Sequence, residues 1–559
     1  MTPLTGDDKR EIGQHFVLGF HGYDISEDAK ILIRDYHVGH IILMKRNVQS
    51  VKQVHALVRS LQQFARDSGH SKPLMIGIDQ EHGLVSAFSS NAYYTAGTQF
   101  PGAMALAATN SEQIAEDCAA ASAKEMRLAG INWVYSPVAD VNSDHRNPVI
   151  GVRSFGDDPH EVARFAKAVN RGLTKEGIAA SAKHFPGHGD TYIDSHLALP
   201  VINKSERSLF STELVPFKAL IDDKIATIMT GHMALPQVTH DQLPSSLSKT
   251  ITMDLLRGKM GFEGVVVTDC LEMDAVAEKY TTQKGAVKCL QAGADIVMIC
   301  HTMDWQRGAI EETYESIESG NLSLDQLRES GKRIASLKAN FAGTWDDALK
   351  DLDEVTLAAL TAANQQLSIT SYAASTALVR GPLPDWENVV GPVLVLTPEI
   401  ESLNKAVDDA EGVSRFNNDR VRNTAGPHYI AFAASVAARR KGSQHFVYSR
   451  LPGGVPPDVV SALSTAAAVI FVTRNADRSS WQLDYLRKLK IHTMQTALPV
   501  IIVASCAPYD LMEAPDILDP YIASFEYTPA ALEAAASVVF GERAAKGRVP
   551  VLRGDVVAK

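Results

Sequence analysis

Eight short apolar runs alternate with longer amphipathic stretches along residues 16–300, and no other feature restricts the fold of this 559-residue chain so strongly. The runs are Phe16 to Phe20, Val38 to Met44, Leu74 to Asp79, Asn132 to Val138, Ala179 to His184, Ala226 to Met233, Gly264 to Asp269 and Asp295 to Cys300. Between them, Val51 to Ala65, Ser111 to Ala129, Pro159 to Glu176 and Ser205 to Asp222 carry helical periodicity. Strands joined through helical crossovers pair in parallel, and eight such units predict a (β/α)8 TIM barrel.

The chain is too long for one hydrophobic core. Residues 304–341 read as helical, with a turn and a new N-cap signal near Asn321 to Leu327. A stretch rich in small and acidic residues follows, and a second series of strand candidates begins at Thr376 to Val379. It continues with Val393 to Leu396, His445 to Tyr448, Val469 to Thr473, Val500 to Ala504 and Ile522 to Phe525. Interspersed helices and Gly/Pro-rich turns predict an open αβα sandwich. The expected organisation is a barrel over 1–341, a linker and helix over 342–375, and the sandwich over 376–559.

In a TIM barrel the chemistry gathers where strands end in loops. Here Arg46 and Asn47 follow the second run, Asp79, Gln80 and Glu81 the third, and Asp140 the fourth. Lys183 and His184 end the fifth, His232 follows the sixth, Asp269 ends the seventh and His301 the eighth. Their convergence on one face predicts a polar pocket.

The densest of these loops is Lys183-His184-Phe185-Pro186-Gly187-His188-Gly189-Asp190-Thr191-Tyr192-Ile193-Asp194-Ser195-His196. Two glycines and a proline exclude a helix or regular strand and predict a loop leaving a strand end. Three histidines with two carboxylates suit acid/base chemistry, although a structural turn or a metal site would use the same residue types.

This motif resembles the signature of family 3 glycoside hydrolases, in particular their NagZ-like branch of β-N-acetylhexosaminidases. Asn147-Pro148-Val149-Ile150-Gly151-Val152-Arg153-Ser154-Phe155-Gly156 is a second matching motif. The helix expected over Ala530 to Phe540 and a strand over Gly547 to Val551 resemble the end of the two-domain members. The resemblance implies a retaining exo-β-N-acetylglucosaminidase releasing terminal β-linked GlcNAc from an oligosaccharide or glycoconjugate, for example in degrading chitin fragments.

Asp269 closes the β-branched run Val265 to Thr268, so it must stand at a strand terminus. A helix N-cap would place an Asp there too. The resemblance makes it the nucleophile that forms a covalent glycosyl intermediate. It makes His196 the general acid/base and Asp194, two residues earlier on one face of an extended loop, its orienting partner. It further implies that Asp79, Arg153, Lys183 and His184 bind the sugar and that His188 is structural. A surface salt bridge is the plainer reading of Arg153. Glu272 and Asp274 follow Asp269 too late to compete with it.

The chain departs from the family where Gly-Gly-Arg commonly follows Asp-Gln-Glu. His82-Gly83-Leu84 stands there, so a cation beside the pocket is lost.

Composition bounds the partners. With 54 basic and 65 acidic residues the formal net charge is −11, which disfavours nucleic acid and anionic membrane surfaces and fits a small carbohydrate substrate. Five scattered cysteines read as reduced core residues, and the N-terminal residues lack the pattern of a secretory signal, so a cytoplasmic protein is expected. No metal and no cofactor are expected. A homodimer is one open option for the assembly. Two other readings stay open: transfer of the glycosyl group to phosphate by a phosphorylase of the same family, and an inactive carbohydrate-binding relative.

Overall fold

The computed structural model describes residues 3–90, 95–191, 199–399, 426–450, 454–512 and 514–552. Eight parallel strands close into a barrel in chain order: β1 (Phe16–Leu18), β2 (His40–Leu43), β3 (Met75–Ile78), β4 (Trp133–Val134), β5 (Ala179–Phe185), β6 (Thr227–Thr230), β7 (Val265–Cys270) and β8 (Ile296–Ile299). Most are shorter than the apolar runs that signalled them. The run around β4 keeps only two strand residues, with Val138 bridging separately to Lys183. β5 runs one residue past His184, so Lys183, His184 and Phe185 are strand residues and the loop starts at Pro186.

Side-chain alternation divides the core in two. Val17, Ile42, Met75, Ala179, Met229, Val265, Val267, Ile296 and Met298 belong to one buried cluster inside the barrel. Phe16, Leu18, Ile41, Leu43, Ile76, Ile78, Ala180, Ala182, Val266 and Val297 pack outward against the helices. The period of two in a strand enforces this division. Helix Leu324–Phe341 contributes Ile334, Leu337 and Phe341 to the interior cluster.

The helices Val51–Asp67, Glu112–Leu128 and Pro159–Lys175 begin at the caps Ser50, Ser111 and Asp158, each accepting from a backbone N–H in the first turn. The helix expected over Ser205 to Asp222 is instead two, Glu206–Ser211 and Leu214–Asp222. The break carries Glu213 inward, where its carboxylate is fully buried and accepts from Lys204 and Ser143.

The second sheet comprises β9 (Ala377–Arg380), β10 (Val393–Pro398), β11 (Gln444–Tyr448), β12 (Ala468–Thr473), β13 (Val500–Ala504) and β14 (Tyr521–Ala523), in the order β9-β14-β13-β12-β10-β11. β9 is antiparallel to β14 and the other pairs are parallel. Alternate residues of β12 feed opposite faces: Val469 and Phe471 pack with helices Pro457–Leu463 and Trp481–Thr496, while Ala468, Ile470 and Val472 pack with Gly426–Arg439 and Pro529–Val539. This is a three-layer αβα arrangement.

Helix Glu354–Ser375 lies between the two units. Its Asn364, Ser368 and Ser371 side chains contact Ala121, Gln99 and Cys118 of the barrel, and Tyr372 donates to Glu526 beyond β14. The expected final strand over Gly547 to Val551 does not form. Gly547 N donates to Thr376 O at the end of the linking helix, and the segment then runs back along the barrel, where Arg548 N donates to Ala108 O and Leu552 N to the Asp157 carboxylate, so its backbone bonds are separate contacts rather than a ladder. Among the described residues no helix is long and apolar enough to cross a membrane.

Candidate active site

The interior parity of β3, β5 and β7 continues through their C-terminal ends. Met75 is followed at even steps by Gly77 and Asp79, Ala179 by Ser181 and Lys183, and Val265 by Val267 and Asp269. The last residue of each series therefore stands at the barrel mouth, where a packed interior gives way to space for a ligand. Asp269 is the most exposed residue of β7.

A buried ionic network surrounds this mouth. Arg153 donates twice to Glu81, Nε to Oε2 at 2.8 Å and Nη2 to Oε1 at 2.7 Å. Lys183 Nζ lies 2.7 Å from Asp79 Oδ1 and 2.7 Å from Glu81 Oε1. Asp79 keeps 29% of its side chain exposed, against 3% for Lys183 and 4% for Glu81, so of the three it alone turns substantially towards solvent. Burial alone would raise the Glu81 pKa, but the charges of Arg153 and Lys183 outweigh it and hold this carboxyl far below its ordinary range.

His184 points Nδ1 at Asp140 Oδ2, 2.7 Å away, and Asp140 is completely buried. The same carboxylate accepts from the backbone N–H groups of His184 and His188. It stays ionised because these groups and the imidazoles outweigh the burial that would raise its pKa. The remaining His184 nitrogen, Nε2, is 3.4 Å from Arg153 Nη2. His188 is buried, its ring against Thr191 Oγ1 at 2.9 Å, and burial with the nearby His184 pushes its pKa down to about 4. Its burial therefore favours the neutral imidazole near neutral pH.

Burial would likewise raise the Asp269 pKa, yet it is lowered by its electrostatic interactions with His184 and His232, by the Cys270 N–H that donates to Oδ1 at 2.7 Å, and by Lys183. An ionised carboxylate at the barrel mouth can attack an electrophilic carbon.

Three segments present these groups. Asn147 accepts from Val149 N and Ile150 N, and donates to His188 O, binding the turn Gly151–Arg153 to the loop after β5. Gly189 is needed for close approach, because a Cβ there would lie 1.6 Å from Val141 O. Beyond β3, Gln80–His82 pairs antiparallel with Val85–Ser86, and the Gln80 amide bonds Phe88 N, Ser86 and Ser89.

Asp79, Arg153, Lys183, His184 and Asp269 are thus brought to one end of the barrel. Asp194 and His196 lie outside the described residues. Arg153 does make a salt bridge, but a buried one inside the site. Glu81, Asp140 and His232 carried no assigned role from sequence, although each follows a strand end. Glu272 is occupied elsewhere: its carboxylate accepts from Cys300 N, His301 N and Thr302 N, ahead of helix Met303–Glu318. Asn47 bonds the Phe20 and Gly22 carbonyls and is structural. Leu84 lines a narrow cleft between barrel and second sheet, whose other walls include Arg474, Arg478, Tyr509 and Tyr527. Cations from the second unit therefore stand near the position where the resemblance expects an arginine.

Residues 9–337 match the model of the glycosyl hydrolase family 3 N-terminal domain. The chain belongs to glycosyl hydrolase family 3. It is 34% identical over 327 residues to a β-hexosaminidase A of Pseudoalteromonas piscicida, an alignment covering 55% of this chain and 54% of that protein, so the chain spans about half the length of this relative. Among solved structures, a family 3 β-N-acetylglucosaminidase from Paenibacillus sp. str. FPU-7 superposes with a TM-score of 0.82 at 31% identity, covering 98% of this chain and 99% of that one. A fungal multi-domain family 3 β-N-acetylglucosaminidase with a GCN5-related glucosamine N-acetyltransferase region gives 0.87 at 37% identity, covering 97% of this chain and 60% of that one.

Proposed function

We propose that this chain is a retaining exo-β-N-acetylglucosaminidase acting on non-reducing terminal β-linked GlcNAc, without a metal or organic cofactor. The observation that carries this reading is Asp269, the most exposed residue of β7 at the barrel mouth, with its pKa held down by His184, His232, the Cys270 N–H and Lys183. Family membership and the near full-length likeness to a β-N-acetylglucosaminidase support the substrate class.

In this mechanism Asp269 attacks the anomeric carbon while the glycosidic bond breaks, giving a glycosyl ester that water then hydrolyses. Asp79 accepts sugar hydroxyl hydrogen bonds through its exposed side, with Lys183 fixing its orientation. His184 is fixed by Asp140 so that Nε2 faces the Arg153 side of the site. Glu81 and Arg153 hold one another and act chiefly by positioning. His196, oriented by Asp194, protonates the leaving oxygen and afterwards takes a proton from water; this assignment rests on the sequence motif.

The test is a leaving-group series. His196→Ala should lose far more kcat/KM on alkyl than on dinitrophenyl β-GlcNAc substrates, because only a poor leaving group needs a proton. Azide should rescue deglycosylation with activated substrates. Equal losses across the series would assign the proton to another group.

A further inference from the structure

The residue after Asp269 is Cys270, and the adjacent strand β8 leads directly into Cys300 and His301. β7 and β8 pair in parallel with Met298 opposite Cys270, which brings the two thiols together at the barrel mouth. The two sulfurs and a ring nitrogen of His301 all lie within 4.8 Å of one another. Cys270 and Cys300 are 9% and 3% exposed, whereas His301 is open to solvent, so the cluster has a buried floor and an open side.

The surroundings hold this cluster in place. Glu272 accepts three backbone N–H groups from residues 300–302 and lies 3.6 Å from Cys270 Sγ, fixing the end of β8 against the end of β7. Arg46 donates to Phe20 O, Cys300 O and His301 Nδ1. Two thiols and an imidazole within one coordination sphere are soft and borderline donors that select d10 cations over magnesium or calcium. None of the residues assigned to sugar binding belongs to the set.

We propose that Cys270, Cys300 and His301 form a site for a thiophilic d10 cation of the Zn²⁺ or Cd²⁺ class, and that filling it stops turnover at Asp269. Binding forms two metal–sulfur bonds and releases two thiol protons to solvent, with no change of oxidation state. His301 supplies a nitrogen lone pair and water takes the fourth position. If the nitrogen is Nδ1, Arg46 gives up that contact and keeps the Phe20 and Cys300 carbonyls. The two thiolates neutralise the dication, so inhibition follows from geometry: drawing Cys270 Sγ into the coordination sphere displaces the Cys270 backbone, whose N–H holds Asp269 Oδ1. This second half rests on the reading of Asp269 as the nucleophile.

The experiment titrates CdCl₂ into the full chain, reduced with a non-chelating phosphine, and follows the thiolate-to-cadmium charge-transfer absorption, proton release and aryl β-GlcNAc hydrolysis together. One Cd²⁺ per chain, two protons and a parallel loss of turnover are expected, reversed by chelator and competed by Zn²⁺. Cys300→Ser and the double variant Cys270→Ser/Cys300→Ser should lose the absorption, His301→Ala should bind more weakly, and Cys506→Ser should behave as wild type; thermal unfolding identifies any variant that fails to fold. Absence of a one-to-one absorption in wild type, or its persistence in folded Cys300→Ser, overturns the site. Binding with turnover unchanged overturns the inhibitory half. A wild type inactive on every aryl glycoside overturns the glycosidase reading and leaves the binding result to stand by itself.

Discussion

Arg153 grips both carboxylate oxygens of Glu81, at 2.7 and 2.8 Å, with both side chains almost wholly buried. Lys183 shares one of those oxygens. Glu81→Gln should leave two buried cations facing a neutral amide. A cost of roughly 3–5 kcal/mol is expected for breaking such a pair. Urea unfolding measures it, and stability equal to wild type would show that the cations find other compensation. KM should rise as well, because Lys183 loses the partner that fixes it beside Asp79.

Asp269→Asn keeps the side-chain volume and removes the attacking charge. A loss of turnover on the order of 10⁴-fold or more is expected for a sole nucleophile, with sugar binding measured calorimetrically little changed. Retention of more than about a tenth of wild-type kcat would attribute less than roughly 1.4 kcal/mol of barrier to this group.

Acid should destabilise the protein before its carboxylates titrate. His82 and His188 have pKa values pushed down to about 4 by burial, whereas an exposed histidine takes its proton near 6.5. Between those values the unfolded chain binds more protons than the native one, so stability falls as pH drops from about 6.5 to about 4. His82 has φ of 68°, which Asn tolerates, so His82→Asn should flatten the fall of the unfolding midpoint in that window. An unchanged slope would show that His82 does not contribute.

Gly83→Ala should damage the joint between the two units. A Cβ at Gly83 would meet Gly102 Cα at 2.7 Å and Glu526 Oε2 at 2.8 Å, and its φ of 58° is strained for alanine. Glu526 is buried and takes hydrogen bonds from Gly102 N, Tyr372 and Thr528. Lower thermal stability and lower kcat are expected together, because Gly83 opens the turn of the hairpin that carries Glu81. An unaltered melting temperature would mean that the hairpin moves aside freely.

Prolonged chelation should leave hydrolysis intact, since the proposed chemistry needs only carboxylate and imidazole. Activity lost to chelator and restored by a divalent cation would reassign the site to metal-assisted chemistry.

The positions of Asp79, Lys183 and Asp269 were legible because they follow from local rules. A strand of period two, a β-branched run and a charged last residue fix both the face and the end at which each side chain emerges. The same rules missed the break at Thr212 and Glu213, where burying a carboxylate against Lys204 and Ser143 overrode helical periodicity. They also assigned a strand to Gly547–Val551, although its backbone donors go singly to Thr376 and Ala108 rather than to a neighbouring strand.

The sequence by itself determined the barrel, the αβα unit and the mouth at which the charged residues gather, because hydrophobic periodicity acts within a few residues of itself. Only the tertiary structure decided which charges neutralise which. Glu81 meets Arg153 across 72 residues, His184 meets Asp140 across 44, and Gly102 meets Glu526 across 424. Hydrogen bonds and Coulomb forces depend on distance in space, and burial strengthens them by removing water. The roles of Glu81 and Asp140, the capping by Glu272 and the meeting of Cys270 with Cys300 were therefore set by how the strands came together.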